Sequence, residues 1–287
     1  MNEKISGIIL GSLIADTYSL GAHWVYSQVD LETNNLDWEE LNDPIALWHK
    51  TKQKGEFTHY GDQTVCLYEY IKKENKFEPN DFIKVWQAYM TEYDGYIDSA
   101  TRETLENILK EEEEYCGAIS DDLSIIGRIS PLLLISKKEK DFLKHVDAFV
   151  LLTHNSELAQ ESAEFFAKVL WAVYSGGDIM DSVKSIKESF SQRIKTYVNT
   201  GLNSPLDTFD AIREFGPACG IQDGFPGVIY ILNKYGDDFK MALIQNAKAG
   251  GDSSARGMII AMLLVAAHGK EIIPQNWVEQ MNYKGID

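Results

Sequence analysis

Apolar residues recur every three or four positions along most of the chain, and the strict alternation of a half-buried strand is nearly absent. The spacing predicts helices over Ile5 to about Leu20, Thr64 to Lys73, Pro79 to Thr91, Ala100 to Glu114, Ser124 to Leu134 and Glu139 to Leu152. It continues over Ser156 to Tyr174, Ile179 to Ser191, Ile194 to Thr200, Gly224 to Lys234, Asp238 to Ala249 and Ser253 to His268. Gly7 and Gly11 stand one turn apart on the first helix, where missing side chains let another helix approach closely. No repeat of fixed period occurs, which argues against a solenoid. The expected fold is all-α, one compact multi-helix domain spanning residues 1–287. The stretch from Leu31 to His59 has no period and carries scattered aromatics (Trp38, Trp48, Phe57), so it reads as a long irregular loop over the core.

Composition narrows this picture. With 44% apolar and 11% aromatic residues the chain can bury a large core, which excludes disorder. Only 7 prolines occur, there is no Ser/Gly tract, and the charge run Glu111 to Glu114 is too short for a disordered tail. A net charge of −17 repels phosphate backbones and anionic lipids, so neither nucleic acid nor a membrane is an expected partner. An anionic nucleotide would need a local source of positive charge: a metal ion, an Arg or helix N-termini. Cys66, Cys116 and Cys219 form neither a CxxC pair nor a disulfide framework, which suits a reducing, cytoplasmic setting. The apolar N-terminal run is interrupted by Asp16 and reads as a core helix, and no run reaches the roughly 18 apolar residues of a membrane span.

Four places put polar residues where a helical core would not ask for them. Asp16 lies in an apolar helix ahead of His23-Trp24-Val25-Tyr26; if the helix continued, Asp16 and His23 would share one face. A buried carboxylate needs a partner or a metal. Thr58-His59-Tyr60-Gly61-Asp62-Gln63-Thr64 precedes a helix, where Asp62 alone suits an N-cap, yet His59, Asp62, Gln63 and Thr64 together suit a ligand. Thr153-His154-Asn155-Ser156 stands before another helix; capping explains Asn155 or Ser156 and leaves His154 over. Gly250-Gly251-Asp252-Ser253-Ser254-Ala255-Arg256 leads into the most apolar helix, with glycines that admit a ligand to the backbone and a helix start that offers free N–H groups.

Taken in order, GIILGSLIAD, THYGDQT, GRISPLLL, LLTHNSELA and AGGDSSARGMIIAMLLVAAHG resemble the ADP-ribosylglycohydrolase family over nearly the whole chain. The resemblance implies a compact all-α hydrolase that removes ADP-ribose from modified side chains, with two magnesium ions held between a Thr-Asp-Asp and an Asp-Thr-Asp-Thr motif. The match is partial. Gly61-Asp62-Gln63-Thr64 lacks the leading Thr and the second Asp, and Asp252-Ser253-Ser254-Ala255 keeps only its first acid. Asp62 and Asp252 remain as matching carboxylates, and Asp16 matches the Gly-Asp-Ala position. Two carboxylates leave two divalent ions poorly neutralised, so one magnesium ion or none is expected.

Two readings follow from the resemblance. In the first the chain hydrolyses a glycosidic bond of ADP-ribose in a modified protein or a small conjugate. Asp62 and Asp252 would stabilise charge or bind metal, Asp16 or His23 would orient water, and Ser253, Ser254, Gly251 and Arg256 would hold the diphosphate beside His59, Gln63, Thr64 and His154. In the second the chain keeps the scaffold without the chemistry, as a binding or crystallin-like structural protein. A hydrolase of another kind, using His23, His59 or His154, is a third possibility.

Overall fold

The structure, a computed structural model, describes residues 3–110 and 116–286. Its helices are α1 (Glu3–Ser19), α2 (Gln28–Thr33), α3 (His59–Glu74), α4 (Pro79–Thr91), α5 (Ser99–Leu109), α6 (Ser124–Gly127), α7 (Glu139–Leu151) and α8 (Glu157–Tyr174). The second half adds α9 (Ile179–Ile186), α10 (Gln192–Asn203), α11 (Thr208–Phe215), α12 (Ile221–Tyr235), α13 (Phe239–Lys248), α14 (Ser253–His268) and α15 (Gln275–Gln280). Among the described residues there is no strand, only the isolated bridges Val25–Gly251, Ala118–His154 and Asp122–Gly220. No helix among them is long and apolar enough to cross a membrane.

A helix that is apolar on every side belongs in the middle of a protein. In α14 every residue from Ser253 to Ala266 is buried, and α1, α6, α8, α12 and α13 surround it. Helix α1 packs along α14 most extensively. A Cβ on Gly11 would stand 2.6 Å from Val265 Cγ2, so the pair of small residues does set the close approach expected of it. These two central helices begin or end at the polar clusters singled out above, and this places the clusters at one end of the bundle.

Several boundaries differ from the periodicity, each for a local reason. Helix α1 stops at Ser19, so Asp16 and His23 do not share a helix face; His23 sits in the turn that follows. Helix α3 starts at His59, not Thr64, because the Thr58 hydroxyl accepts the Tyr60 N–H at 3.1 Å and serves as N-cap. Asp62 is therefore inside the first turn, not the cap. The expected Ser124–Leu134 helix is interrupted ahead of Pro131 and resumes as a 3₁₀ turn over Ser130–Ile135, since Pro131 has no N–H with which to continue the helical hydrogen bonds. The Ile179 helix closes at Ile186 and passes into a 3₁₀ turn, Lys187–Ser189. Helices α2 and α15, of six residues each, are too short to show a period, and the eight-residue α11 is a further helix beyond those the spacing predicts. The Ala100 helix ends at Leu109, and the charge run Glu111 to Glu114 lies outside the described residues. Beyond α2, residues up to Thr58 are irregular apart from a 3₁₀ turn at Leu47–His49, and they anchor on the core through Leu41 and Phe57.

Candidate functional site

Two of the isolated bridges assemble the site from distant parts of the chain. Trp24 N donates to Gly251 O (2.8 Å) and Gly251 N donates to Val25 O (2.9 Å), joining the turn after α1 to the start of α14. Leu123 N donates to Cys219 O and Ile221 N to Asp121 O, both at 2.8 Å, bringing the start of α6 to the start of α12. Gly250 and Gly251 carry φ of +74° and +66°, a left-handed backbone that costs glycine nothing. Asp252 N then donates to Pro217 O at 2.8 Å, which ties the two bridges together.

Asp16 lies at the bottom, fully buried. Its Oδ1 accepts the Thr58 hydroxyl (2.6 Å) and the Ser254 hydroxyl, and its Oδ2 accepts the Thr58 N–H (2.8 Å). Burial pushes its carboxyl up to about 7 against the pull of these donors. Gly61 makes room for it: a Cβ there would stand 2.2 Å from Asp16 Oδ2 and 2.8 Å from Phe57 Cβ. The absence of a side chain at position 61 and the seating of Asp16 are thus one feature.

Above Asp16 lies a sealed cluster of rings. His23, His49 and His59 are each at most 1% exposed, with ring centroids 5.2 to 6.5 Å apart, and Tyr60 packs against His59 at 4.0 Å. Burial, then mutual repulsion with the other histidines, holds His23 well below its ordinary value and lowers His49 to about 3, so both rings are neutral at physiological pH. His23 Nδ1 lies 3.6 Å from Asp252 Oδ1, and with the ring neutral this contact is not an ion pair. Trp24 roofs the cluster, stacked on His23 and His49 at 4.6 and 5.4 Å. Its φ of +60° is strained for a bulky residue, and such strain persists only where the surroundings hold it.

On the far side of Trp24 opens a cavity of about 710 Å³, walled by Trp24, Tyr26, Trp48 and Tyr96, with Lys50 and Arg102 as its cations and Asp30 and Asp94 as its acids. Residues 45–48, 50 and 51 of the irregular segment form one wall. Beside Tyr26, Asp252 of the glycine-rich motif meets two groups that the motifs do not point to: Asp122, Cys219 and Asp252 each place one polar atom within 4.8 Å of the others. Among the described residues no other group of three or more His, Cys, Asp or Glu converges in this way. Burial, then the negative charge of Asp122, raises Asp252 to about 6, while the Ala255 N–H (3.0 Å) and the Tyr60 hydroxyl (2.9 Å) favour its charged form. Burial, then the charge of Asp98, raises Asp122, whose Oδ1 accepts the Ser124 N–H at 2.9 Å. The Tyr26 hydroxyl on the cavity wall is pushed up to about 12 by burial and then by Asp252, Cys219 and Asp122, so cavity and acid pair are electrostatic neighbours.

The other candidates divide between support and isolation. Asp62 Oδ2 accepts both Lys52 Nζ at 2.6 Å and the Tyr93 hydroxyl at 2.5 Å, and burial still lifts its carboxyl above the usual range. Gln63 turns its carbonyl to Arg128 Nη1 (2.6 Å) and Trp86 Nε1 (2.9 Å), deep in the core. Thr64 donates back to Tyr60 O within α3 at 2.8 Å. His154 is buried near Arg128 and Asp98 with Nδ1 3.0 Å from the Thr153 hydroxyl, while Ser156 caps α8. Arg256 is fully buried; Nε donates to Asn246 Oδ1 (2.9 Å) and Nη2 to Gly250 O (2.6 Å), holding the glycine turn from below. Ser253 presents its carbonyl to Asn246 Nδ2 at 2.7 Å, and its hydroxyl is buried without a partner. The structure therefore brings Asp16, His23, His59, Asp252 and Ser254 together through Thr58 and Tyr60, and sets His154 apart. Residues that sequence reasoning passed over are Lys52, Thr58, Asp98, Asp122 and Cys219. Among them Thr58 stands in the polar motif ahead of α3 and Asp122 in a doubled acid, Asp121-Asp122, just before an apolar turn, while Lys52, Asp98 and Cys219 carry no local signal.

Comparison with known proteins agrees with this architecture. The ADP-ribosylglycohydrolase family profile matches residues 1–287. Crystallin J1A of Tripedalia cystophora is 21% identical, with 97% of this chain and 92% of the crystallin aligned. Crystallin J1B of the same animal is 20% identical over 98% of this chain and 92% of its own. A solved structure titled "ADP-ribosylglycohydrolase-related protein complex" superposes with a TM-score of 0.77 at 18% identity, covering 98% of this chain and 92% of the other, which is a likeness of fold.

Proposed function

Since the chain belongs to the ADP-ribosylglycohydrolase family, we propose that it hydrolyses a glycosidic bond of ADP-ribose in a modified protein or small conjugate, using Asp122 and Asp252. The observation that carries this reading is the acid pair itself: two carboxylates with raised pKa, within 4.8 Å of each other, whose charge is felt by Tyr26 on the wall of an aromatic cavity. Breaking a bond at the anomeric carbon builds positive charge on the sugar and negative charge on the leaving atom. Like charges this close cannot both ionise easily, so the pair favours a state that holds one proton. The protonated member gives its proton to the leaving group as the bond breaks. The ionised member faces the developing oxocarbenium charge, and water then adds to the anomeric carbon, losing its proton to the carboxylate that had acted as acid, which restores the pair. The Tyr60 hydroxyl and the Ala255 N–H on Asp252 favour it as the ionised member, and half-buried Asp122 is the better placed donor. A separation below about 5 Å is nearer the retaining geometry than the 6.5–9.5 Å of inverting enzymes.

The cavity supports ADP-ribose as the ligand by its chemistry. Trp24, Trp48 and Tyr96 offer aromatic faces to a purine, and Lys50 and Arg102 offer cations to a diphosphate in an otherwise acidic protein. Asp16 then acts as a support that positions Ser254 and the start of α14. The test is turnover of ADP-ribosylated protein and of small ADP-ribosyl conjugates, with Asp122→Asn and Asp252→Asn beside the wild type. Each variant is expected to lose about 10²-fold or more in kcat, the usual scale for a positioned acid or base. Unchanged rates in both would overturn the assignment.

A binding or structural role is the second reading. It is favoured by the engagement of Asp16 and Asp62 with internal donors and by the two crystallins among the relatives. It predicts ligand binding or none, and no turnover in either arm of the same assay.

A further inference from the structure

We propose that the ammonium of Lys52 is a covalently attached replacement for a divalent ion at Asp62, so that Asp62 binds no metal in this protein. The carboxylates at the positions where the family resemblance implies magnesium ligands are already engaged by the protein's own donors. Asp62 Oδ2 holds Lys52 Nζ at 2.6 Å and the Tyr93 hydroxyl. Asp252 is held by Tyr60 and the Ala255 N–H, and Asp16, matched at the Gly-Asp-Ala position, is likewise held by Thr58 and Ser254. Magnesium asks for oxygen atoms with free lone pairs in near-octahedral array, and donors pointed at those oxygens are the opposite arrangement.

Position 63 argues the same way. A carboxylate there would add a ligand, but Gln63 is neutral and its carbonyl faces Arg128 and Trp86 instead of Asp62. Positive charge around the site is supplied by side chains: Lys52 at Asp62, Arg128 behind Gln63, and Arg256 beneath Asp252. The Lys52 side chain is only 11% exposed and its ammonium also lies 5.2 Å from the Tyr93 ring centroid, so the charge is fixed in a pocket and not dangling in solvent. The placement has a second consequence. Lys52 follows directly on Lys50 and Thr51, which line the cavity, so the bond to Asp62 also pins that wall to α3.

The inference concerns ion binding and does not depend on which bond the protein cleaves. It is tested by electron paramagnetic resonance titration of Mn²⁺, and by the thermal response to Mg²⁺ and Mn²⁺, on chelator-dialysed full-length wild type, Asp62→Asn and Lys52→Met. Wild type and Asp62→Asn are expected to give the same titration, whatever ion the Asp122–Cys219–Asp252 group takes up. Lys52→Met is expected to gain an ion-dependent rise in Tm, of about 2 °C or more at millimolar ion, because the buried Asp62 has lost its counter-charge. Should Lys52→Met not fold, Lys52→Gln, which keeps the chain length, makes the same comparison. Wild-type Mn²⁺ binding that disappears in Asp62→Asn would overturn the proposal, as would a Lys52 variant whose thermal response to the ions equals that of wild type.

Discussion

Gly61→Ala is a substitution for which helix propensity and this structure disagree in sign. On an exposed helix, replacing glycine by alanine stabilises by about 1 kcal/mol, since alanine loses less backbone entropy. At position 61 the new methyl would stand 2.2 Å from Asp16 Oδ2, 2.8 Å from Asp16 Cγ and 2.8 Å from Phe57 Cβ. Ordinary carbon contacts sit near 3.5 Å, so more than one atom must retreat. Neither has room. Asp16 is held by the Thr58 N–H, the Thr58 hydroxyl and the Ser254 hydroxyl, and Phe57 is buried. Overpacking of this kind costs about 1–3 kcal/mol, and displacing Asp16 from one or two hydrogen bonds to a charged group adds about 1.5–3 kcal/mol each. The net expectation, after the propensity gain, is destabilisation of at least about 1.5 kcal/mol, rising to about 8 kcal/mol if both hydrogen bonds are lost. Urea denaturation followed by circular dichroism measures it. A variant as stable as wild type, or more stable, would refute the seating of Asp16 under Gly61.

Further predictions follow from the buried charges. Asp16 is pushed up to about 7 in the folded protein, above its value near 3.9 in the unfolded chain, so folding tightens its proton. Its contribution is therefore most favourable below about pH 4 and is lost as pH rises towards 7. His49 and His154, each lowered to about 3, act in the opposite sense below pH 6.5, so the readout is the difference between wild type and Asp16→Asn. That difference is expected to move against wild type by about 2 kcal/mol between pH 5 and pH 7; a difference that does not vary with pH would remove Asp16 from the titrating groups. Arg256→Met is expected to cost about 3 kcal/mol, because the Gly250 carbonyl and Asn246 lose a buried donor and Asp252 loses a nearby positive charge; loss of less than about 1 kcal/mol in chemical denaturation would contradict its role under the glycine turn. Trp24→Ala removes the partition between the cavity and the histidines, so the His23 and His49 rings should become exchangeable with solvent in NMR spectra, and ADP-ribose affinity should fall about tenfold or more if the ring stacks on the base.

Much of the fold is legible because the outer helices carry one apolar face at helical spacing, while the two central helices, apolar on every side, read as continuous apolar runs. Pro79–Thr91 and Ser253–His268 carry their own boundary signals, a proline at the first position and an aspartate cap, and both are found where expected. Short helices such as α2 and α15 are held by tertiary contacts and leave no period to read. The site is legible only on its local side. Asp252, Ser254 and Asp16 stand out as polar residues in apolar surroundings, and the structure does bring them together. Asp122 and Cys219 meet Asp252 through isolated bridges that have no sequence signature, and Lys52 reaches Asp62 from a stretch without regular structure. The periodicity sets the start of α3 too late because His59, Gly61 and Asp62 look like loop residues, and the Thr58 cap that overrides them is itself occupied with Asp16.

The central claim is that the Asp122–Asp252 pair breaks a bond at the anomeric carbon of ADP-ribose. Mass-spectrometric identification of the products from an ADP-ribosyl conjugate tests it most directly, with wild type and the Asp122→Asn/Asp252→Asn double variant run side by side. Intact ADP-ribose released by wild type and absent with the double variant is the predicted result. Release of AMP, which marks cleavage within the diphosphate, or a conjugate left whole by wild type, would contradict it.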